Sequence, residues 1–282
     1  MTVLIIGASG FLGTELVRQA AATGRVTAAT YRSRPGEAPG VAWHRLDLRD
    51  PHLLDALLDA LAPDTVINAS SGGADWAATA DGPVRLAAAT AGRGIRLVHV
   101  SSDAVFSGAR VRYEETALPD PVTPYGAAKA AAETAVRLLH PAAVVARTSL
   151  VLGDGGDGAS THERVVHELA SGEREGALFT DDIRCPVHVA DLAAALWELA
   201  TSDATGVFHL AGPDALSRHA LGVLVARRDG IDPSLLPTGR RADTRLPGVL
   251  DVRLDSRATQ RRLRTRLRGA REFLDAVPGA QT

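Results

Sequence analysis

Gly7-Ala8-Ser9-Gly10-Phe11-Leu12-Gly13 stands between a short apolar run at residues 3–6 and an amphipathic stretch at residues 11–22. The spacing is G-x-x-G-x-x-G, which differs from the commonest dinucleotide fingerprint, G-x-G-x-x-G. Glycines between a first strand and a first helix let the backbone turn tightly and approach a pyrophosphate, whose charge the free N–H groups and the helix dipole stabilise. In this position the motif predicts a dinucleotide site. The contacts expected from it are Gly7, Ser9, Gly10, Phe11, Leu12 and Gly13.

The rest of the first half alternates strand-like and helix-like segments. Apolar runs separated by helices of this length favour a parallel sheet covered on both faces. The predicted strands cover residues 3–6, 26–31, 41–46, 65–68, 96–101, 143–147 and 206–210. The predicted helices cover residues 11–22, 51–61, 76–90, 127–139, 162–171, 189–201 and 217–228, and two short helices close the chain.

This alternation predicts the α/β class: a doubly wound parallel Rossmann sheet with helices on both faces and a smaller C-terminal substrate lobe. We expect residues 1–148 together with 186–212 to form an NADP-binding Rossmann domain. Residues 149–185 together with 213–282 are expected to form the smaller substrate-binding lobe.

Composition excludes several classes of protein. The 282 residues are 45% hydrophobic and carry a formal net charge of -2, so nothing predicts a nucleic-acid or anionic-membrane partner. Cys185 is the only cysteine, which excludes an intrachain disulfide and fits a reducing compartment. No leader-like segment and no apolar run of roughly 18 residues is present. We therefore expect a soluble cytoplasmic protein with a small-molecule substrate and no metal site; the oligomeric state stays open, with a homodimer as one alternative.

Lys129 is the only lysine among 31 basic side chains, and it follows Tyr125 by four residues. Residues at i and i+4 share one helix face. A nearby ammonium favours the phenolate and lowers the pKa of a tyrosine from about 10 toward the working pH. Such a tyrosine can donate a proton to a carbonyl that is being reduced. The pair therefore predicts acid–base chemistry at a carbonyl or alcohol.

Cofactor selectivity is expected at the end of the second strand, where an acidic residue would bind the ribose 2′-hydroxyl of NAD. The chain instead reads Thr30-Tyr31-Arg32-Ser33-Arg34, with no acid. The cationic side chain of Arg32 is suited to bind a 2′-phosphate, so we predict a preference for NADP(H), with NAD(H) as the alternative. Further cofactor contacts are expected after the third and fourth strands, at Asp47, Leu48, Asn68, Ala69 and Ser70.

These motifs occur in an order that resembles the extended short-chain dehydrogenases/reductases, and most of all the dTDP-4-dehydrorhamnose reductase family. The resemblance covers residues 1 to about 212 well and the remainder loosely. It rests on the glycine loop, Asp47-Leu48, Asn68-Ala69, Ser101-Ser102-Asp103-Ala104-Val105-Phe106-Ser107-Gly108, Tyr113-Glu114-Glu115, Pro121-x-x-Pro124-Tyr125-Gly126, Lys129, Arg147-Thr148-Ser149, Arg184-x-Pro186-x-x-Val189-x-Asp191 and His209-Leu210-Ala211-Gly212.

The resemblance implies that NADPH delivers hydride to the ketone of a nucleotide-linked sugar, of the dTDP-4-keto-6-deoxyhexose type. It implies Tyr125 as proton donor, Lys129 as the ligand of the nicotinamide ribose, and Ser102 as a hydrogen-bond donor to the substrate oxygen. It also points to Asp103 as a catalytic-site acid without a defined role. Arg184 and Arg241 are expected as diphosphate contacts in the second lobe.

The chain also departs from the family pattern. Leu150 replaces the tryptophan that usually follows Arg-Thr-Ser, and the expected asparagine before the fourth helix reads as Thr79 or Asp81. The substrate can therefore differ from the rhamnose precursor. Two further functions stay open: an NAD-dependent sugar-nucleotide epimerase and a non-catalytic NADP-binding regulatory protein. A dehydratase is disfavoured because Ala104 stands where that class has a second acid.

Overall fold

The fold is built on short, mostly buried strands, and the computed structural model describes residues 1–25, 27–245 and 248–275. The strands are β1 (Val3–Ile6), β2 (Thr27–Tyr31), β3 (Ala42–Arg45), β4 (Thr65–Asn68), β5 (Arg96–Ser102), β6 (Arg112–Tyr113), β7 (Val144–Thr148), β8 (Val151–Leu152), β9 (Leu178–Phe179), β10 (Ile183–Arg184), β11 (Val187–His188), β12 (Gly206–Leu210), β13 (Leu216–Ser217), β14 (Thr238–Gly239) and β15 (Arg253–Leu254). Seven of them form one parallel sheet in the order β3-β2-β1-β4-β5-β7-β12.

Helices connect the strands. They are α1 (Phe11–Ala22), α2 (Pro51–Leu61), α3 (Gly82–Gly92), α4 (Pro124–Leu139), α5 (Thr161–Ser171), α6 (Val189–Ala200), α7 (Arg218–Arg228), α8 (Arg257–Arg262) and α9 (Ala270–Leu274). Sequence signals account for their starts: Asp50 caps α2 ahead of Pro51, and Ser160 with Glu163 forms a capping box on α5. None of the described helices combines the length and apolar composition that a bilayer span requires.

Side chains of the central strands alternate between two hydrophobic cores. Val3 and Ile5 of β1 pack in a cluster with residues of α1 and α6. Leu4 and Ile6 point the other way, into a cluster with residues of α2, α3 and α4. Helices therefore cover both faces of a parallel sheet, which confirms the predicted doubly wound α/β fold.

The direction in which strands are added to the sheet reverses between β1 and β4, which pair with each other. From β1 the sheet extends through β2 to β3, and from β4 it extends the other way through β5 and β7 to β12. In open α/β sheets the ligand crevice lies at this point, beyond the carboxyl ends of the strands. The segments that leave it are the glycine loop after β1 and residues 69–72 after β4.

A third hydrophobic cluster lies apart from the sheet, and all of its buried members fall in the segments predicted for the smaller lobe. It is formed by Leu150, Leu152, Val166, Leu169, Leu178, Leu216, Leu221, Leu224, Val225, Ala226, Leu236, Ala270 and Leu274. The domain division itself stays a prediction, and residues 276–282 of its second lobe lie outside the described residues.

Several element bounds differ from the expectations by one to three residues, and one predicted element changes in type. The helical stretch predicted at residues 76–90 begins as a π-helix, Ala77–Asp81, before α3. Pro83 explains part of this change, since a proline has no N–H for the bonding pattern of a continuous α-helix. The third strand is shorter than residues 41–46, and Val26, the predicted first residue of the second strand, lies outside the described residues.

Candidate active site

A cleft of about 390 Å³ lies at the sheet's switch point and contains most of the predicted cofactor contacts. Its wall includes Gly7, Ser9, Gly10, Phe11, Arg32, Asp47, Leu48, Ala69 and Ser70 from the prediction, together with Ser71 and Gly72 among others. Leu12, Gly13, Asn68, Tyr125 and Lys129, which were also predicted as cofactor contacts, are not in this wall. The first two belong to the opening turn of α1, whereas Asn68 is fully buried and accepts hydrogen bonds from the Ser70 backbone N–H (3.1 Å) and hydroxyl (2.6 Å).

The glycine loop brings the N-terminus of α1 to the cleft without a side chain in the way, although the Gly7, Ala8 and Gly10 N–H groups already donate to Thr30 and Gly7. Gly7 has a φ of +80°, and a Cβ there would lie 2.7 Å from Cα of Ser70. Gly10 caps α1 without any side-chain hydrogen bond, and the first turn holds no acidic residue. Uncapped N–H groups at a helix N-terminus bind anions. The residues present therefore fit the pyrophosphate of a dinucleotide.

At the far end of the cleft, charged side chains surround Asp47. Arg49 donates two-pronged hydrogen bonds to its carboxylate, with Nη2 2.5 Å from Oδ2, and this holds the pKa of Asp47 at about 2. Arg49 also lies 3.6 Å from Asp75. Arg32 is exposed and close enough to Asp47 to contribute to the lowered pKa. The Asp47 carboxylate is thus occupied by Arg49, a residue that no sequence motif singled out.

Tyr125 lies in the first turn of α4, which Thr123 caps by accepting a hydrogen bond from the Gly126 N–H. Burial raises the pKa of Tyr125, while hydrogen bonds from the side chains of Ser102 and Ser71 act in the opposite direction. The prediction that a neighbouring ammonium lowers this pKa toward the working pH is therefore wrong: burial raises the pKa most, and the groups that lower it are the hydroxyls of Ser102 and Ser71.

Lys129 lies one turn further along α4 and is 3% exposed. Its Nζ donates a hydrogen bond of 3.1 Å to the carbonyl oxygen of Val100 in β5. Burial lowers the pKa of Lys129 to about 8, and the charge of Glu133 opposes this change. The lysine is thus a buried ammonium held against β5, an inner strand of the sheet, rather than a solvated surface cation.

Asp103 is buried immediately after β5 and is held by hydroxyl donors. The Ser149 hydroxyl donates to it at 2.6 Å and the Ser102 hydroxyl at 3.3 Å. Nε of Arg184 lies 3.7 Å from the same carboxylate. Ser149 follows β7 at the same edge of the sheet, so the position rule that singled out Ser102 would have found it too.

Arg184 and Arg241, the predicted diphosphate contacts, both meet the buried carboxylate of Asp182. Nη1 of Arg184 lies 2.9 Å from it, and Nε of Arg241 donates to it at 3.0 Å. Arg241, Arg218 and Asp182 line a cavity of about 370 Å³ between α5 and α7, whereas Arg184 does not. Their role as substrate contacts stays a prediction.

The side chains at the positions that depart from the family pattern pack or hydrogen-bond within the protein itself. Leu150 is 6% exposed and belongs to the third hydrophobic cluster. Thr79 lies in the π-helix, where its hydroxyl accepts a hydrogen bond from the Gly72 N–H and donates one to the Gly73 carbonyl. Asp81 accepts a hydrogen bond from the Trp76 indole N–H.

The glycine-loop cleft at the switch point contains Ser71, which hydrogen-bonds Tyr125, and Lys129 follows Tyr125 by one turn of α4. This combination defines the short-chain dehydrogenase/reductase class. Comparison with known proteins then specifies the family: the chain belongs to the RmlD substrate binding domain family, whose model matches residues 1–277. This confirms the resemblance to sugar-nucleotide reductases of the extended kind.

Relatives of known name agree with this assignment. The dTDP-4-dehydrorhamnose reductase of Mycobacterium tuberculosis is 36% identical over 246 residues, which is 82% of this chain and 76% of that protein. The probable low-salt glycan biosynthesis reductase Agl14 of Haloferax volcanii is 31% identical over 265 residues, or 88% and 87% of the two chains. The solved dTDP-4-dehydrorhamnose reductase of Bacillus anthracis, in complex with NADP, shares the fold with a TM-score of 0.79 at 20% identity, covering 97% of both chains.

Proposed function

We propose that this protein reduces the ketone of a nucleotide-linked sugar, of the dTDP-4-keto-6-deoxyhexose type, with NADPH as reductant and Tyr125 as proton donor. The observation that supports the proposal most directly is the hydroxyl cluster of Tyr125, Ser102 and Ser71, with the buried ammonium of Lys129 one helical turn further along α4. The names of the relatives, dTDP-4-dehydrorhamnose reductase among them, support the substrate class. The cytoplasmic location and a homodimer stay predictions of the sequence.

The cofactor is assigned to the glycine-loop cleft. In this proposal Gly7 and Gly10 let the pyrophosphate approach the N-terminus of α1, where the Phe11 N–H binds it, Arg32 holds the 2′-phosphate, and Leu48 lies at the adenine. When bound, NADPH supplies the hydride. A preference for NADP(H) follows from Arg32 at the end of β2, where no acid competes for the ribose; NAD(H) is the alternative.

The proton comes from Tyr125. Its raised pKa keeps the phenol protonated near neutral pH, which is the form that donates a proton to the alkoxide developing on the former ketone oxygen. Ser102 donates a second hydrogen bond to the same oxygen and stabilises its charge. Lys129, fixed by the Val100 carbonyl, is assigned to the nicotinamide ribose and to the phenolate that remains after transfer.

Substrate binding is assigned to the second lobe. The cavity between α5 and α7 brings Arg218 and Arg241 together around Asp182 and offers donors to a diphosphate. Arg184, buried between Asp182 and Asp103, also orients Asp103, and it keeps its predicted role as a diphosphate contact.

One assay tests the proposal. The protein is mixed with NADPH and a panel of dTDP-4-keto-6-deoxysugars, and the absorbance of the reduced cofactor is followed. Oxidation that falls by about 10² or more in Tyr125→Phe and Lys129→Ala, with NADPH still bound by Tyr125→Phe, supports the reductase. Tight NADPH binding without turnover of any ketone would refute it in favour of a binding module. Epimerised product formed on copurified cofactor, without NADPH consumption, would refute it in favour of an epimerase.

A further inference from the structure

One face of α4 carries a third ionisable side chain beyond Tyr125 and Lys129. Glu133 follows Lys129 by four residues, so the three side chains lie one above another at successive turns. Its side chain is 1% exposed, and it pairs with Arg147 of β7, whose side chain is 0% exposed. Glu133 therefore lies at the buried end of the row that starts at the proposed proton donor.

The Glu133 carboxylate is held from two strands. Nε of Arg147 donates to both of its oxygens at 3.1 Å, and Nη2 donates to Oε2 at 2.8 Å. The Ser101 hydroxyl of β5 donates to Oε1 at 2.5 Å. The remaining Arg147 nitrogen, Nη1, donates to the carbonyl oxygens of Ala117 (3.1 Å) and Glu115 (3.4 Å). Every charged group of this pair is thus hydrogen-bonded.

Stability alone does not explain such a pair. Removing two charges from water costs several kcal/mol per ion, and well-packed apolar residues in place of a buried ion pair often leave a protein equally or more stable. A bidentate pair does, however, hold a negative charge at a defined place in a medium where charges act strongly on each other. The group one turn away from that charge is the ammonium of Lys129.

We propose that Glu133, clamped by Arg147 and Ser101, is a positioning residue that keeps the buried side chain of Lys129 charged and aligned for its work beside Tyr125. The inference rests on the proposed reductase function for its catalytic consequence. The electrostatic part of the inference is that the charge of Lys129 depends on Glu133, and this dependence can be measured without any turnover.

The other charged groups around α4 do not take this role. His99 of β5 is fully buried, and burial, followed by the Lys129 charge, holds its pKa well below the usual value, so it is neutral. Asp103, in the turn after β5, contributes its negative charge to the raised pKa of Tyr125. Asp81 accepts the Trp76 N–H, and Arg85 donates to the carbonyl oxygen of Leu48.

The lone lysine makes a direct test practical. Protein grown with lysine labelled with ¹³C at Cε and ¹⁵N at Nζ carries one labelled side chain, so the Lys129 resonance needs no assignment. Its titration in the full-length wild type is expected near a pKa of about 8. In Glu133→Gln, which keeps the volume but loses the charge, we expect the pKa of Lys129 to fall by about one unit or more. Glu272→Gln, which breaks a surface pair with Arg266, is the control and should leave it unchanged.

A second variant covers the case in which Glu133→Gln does not fold, since it leaves the Arg147 cation unpaired. Glu133→Leu with Arg147→Met removes both charges together, so its Lys129 pKa is expected between those of the wild type and Glu133→Gln. An unchanged Lys129 pKa in Glu133→Gln, or in the double variant if Glu133→Gln does not fold, would overturn the proposal, whatever the activity. The alkaline limb of the pH–kcat profile is expected to move to lower pH with the lysine pKa; a limb that stays in place while the pKa moves would overturn the catalytic consequence only.

Discussion

Gly13 lies in the first turn of α1, and we expect a single added methyl group there to lower both the stability of the fold and the affinity for the cofactor. A Cβ on Gly13 would overlap the carbonyl oxygen of Gly7 and would lie 2.6 Å from Cα and 2.8 Å from the carbonyl carbon of Ala8. Ordinary carbon contacts need about 3.5 Å or more, so the helix and the loop must separate by roughly 1 Å. These atoms all belong to the backbone and cannot rotate away as a flexible side chain would.

Overpacking of this kind costs about 1–3 kcal/mol, and the better helix propensity of alanine offsets at most about 1 kcal/mol of it. We therefore expect Gly13→Ala to lower the free energy of unfolding by about 1–2 kcal/mol. Because the loop N–H groups move with the displaced backbone, NADPH affinity should fall about tenfold or more, equivalent to about 1.4 kcal/mol.

Urea unfolding curves and fluorescence titration with NADPH measure the two effects. Gly92→Ala is the matched control, since a Cβ at this residue of α3 meets no atom within 4 Å. Its stability should stay equal or rise by about 0.5–1 kcal/mol. If Gly13→Ala unfolds at the same urea concentration as Gly92→Ala and binds NADPH as the wild type does, the steric reasoning is wrong.

Three further predictions concern charge and burial. Arg32→Ala should weaken NADPH binding about tenfold and leave NADH binding unchanged in parallel calorimetric titrations, because a charge-assisted bond to the 2′-phosphate is lost. Burial raises the pKa of the Cys185 thiol to about 11, so iodoacetamide at about pH 8 should label it only after unfolding; fast labelling of the folded protein would contradict this. Burial lowers the pKa of His162 and His209 to about 4, below the usual 6.5. Between these values only the unfolded chain binds the protons, so urea midpoints should fall as pH drops from about 7 to about 5, and less steeply in His162→Gln.

Much of the fold was predictable because its signals are local. The strands Val3–Ile6, Thr65–Asn68 and Gly206–Leu210 and the helices Phe11–Ala22 and Pro51–Leu61 have the predicted bounds. Each is an uninterrupted apolar or amphipathic run with a glycine or proline within two residues of at least one end, so nearby residues suffice to define it. The π-helix at Ala77–Asp81 escaped prediction because helical periodicity does not distinguish a widened turn from an α-helical one.

The sequence predicted those residues of the candidate site that belong to local motifs. It did not predict which side chains pair with each other across the fold. Gly7 and Arg32 line one cleft as their places after β1 and β2 predicted. Arg147 and Glu133 are 14 residues apart, and Ser101 and Glu133 are 32 apart; nothing in the sequence pairs them. Arginine is so abundant in this chain that its partners emerge only from three-dimensional contacts.

The sequence by itself determined the parallel sheet, the glycine loop at the end of its first strand and the shared helix face of Tyr125 and Lys129, because backbone conformation and side-chain period are local properties. Only the tertiary structure decided the electrostatic state of that face. Burial raises the pKa of Tyr125 and lowers that of Lys129, and Glu133 reaches its two strand partners through the folded core. Desolvation and charge pairing depend on which atoms surround a group in space, and order along the chain does not specify them.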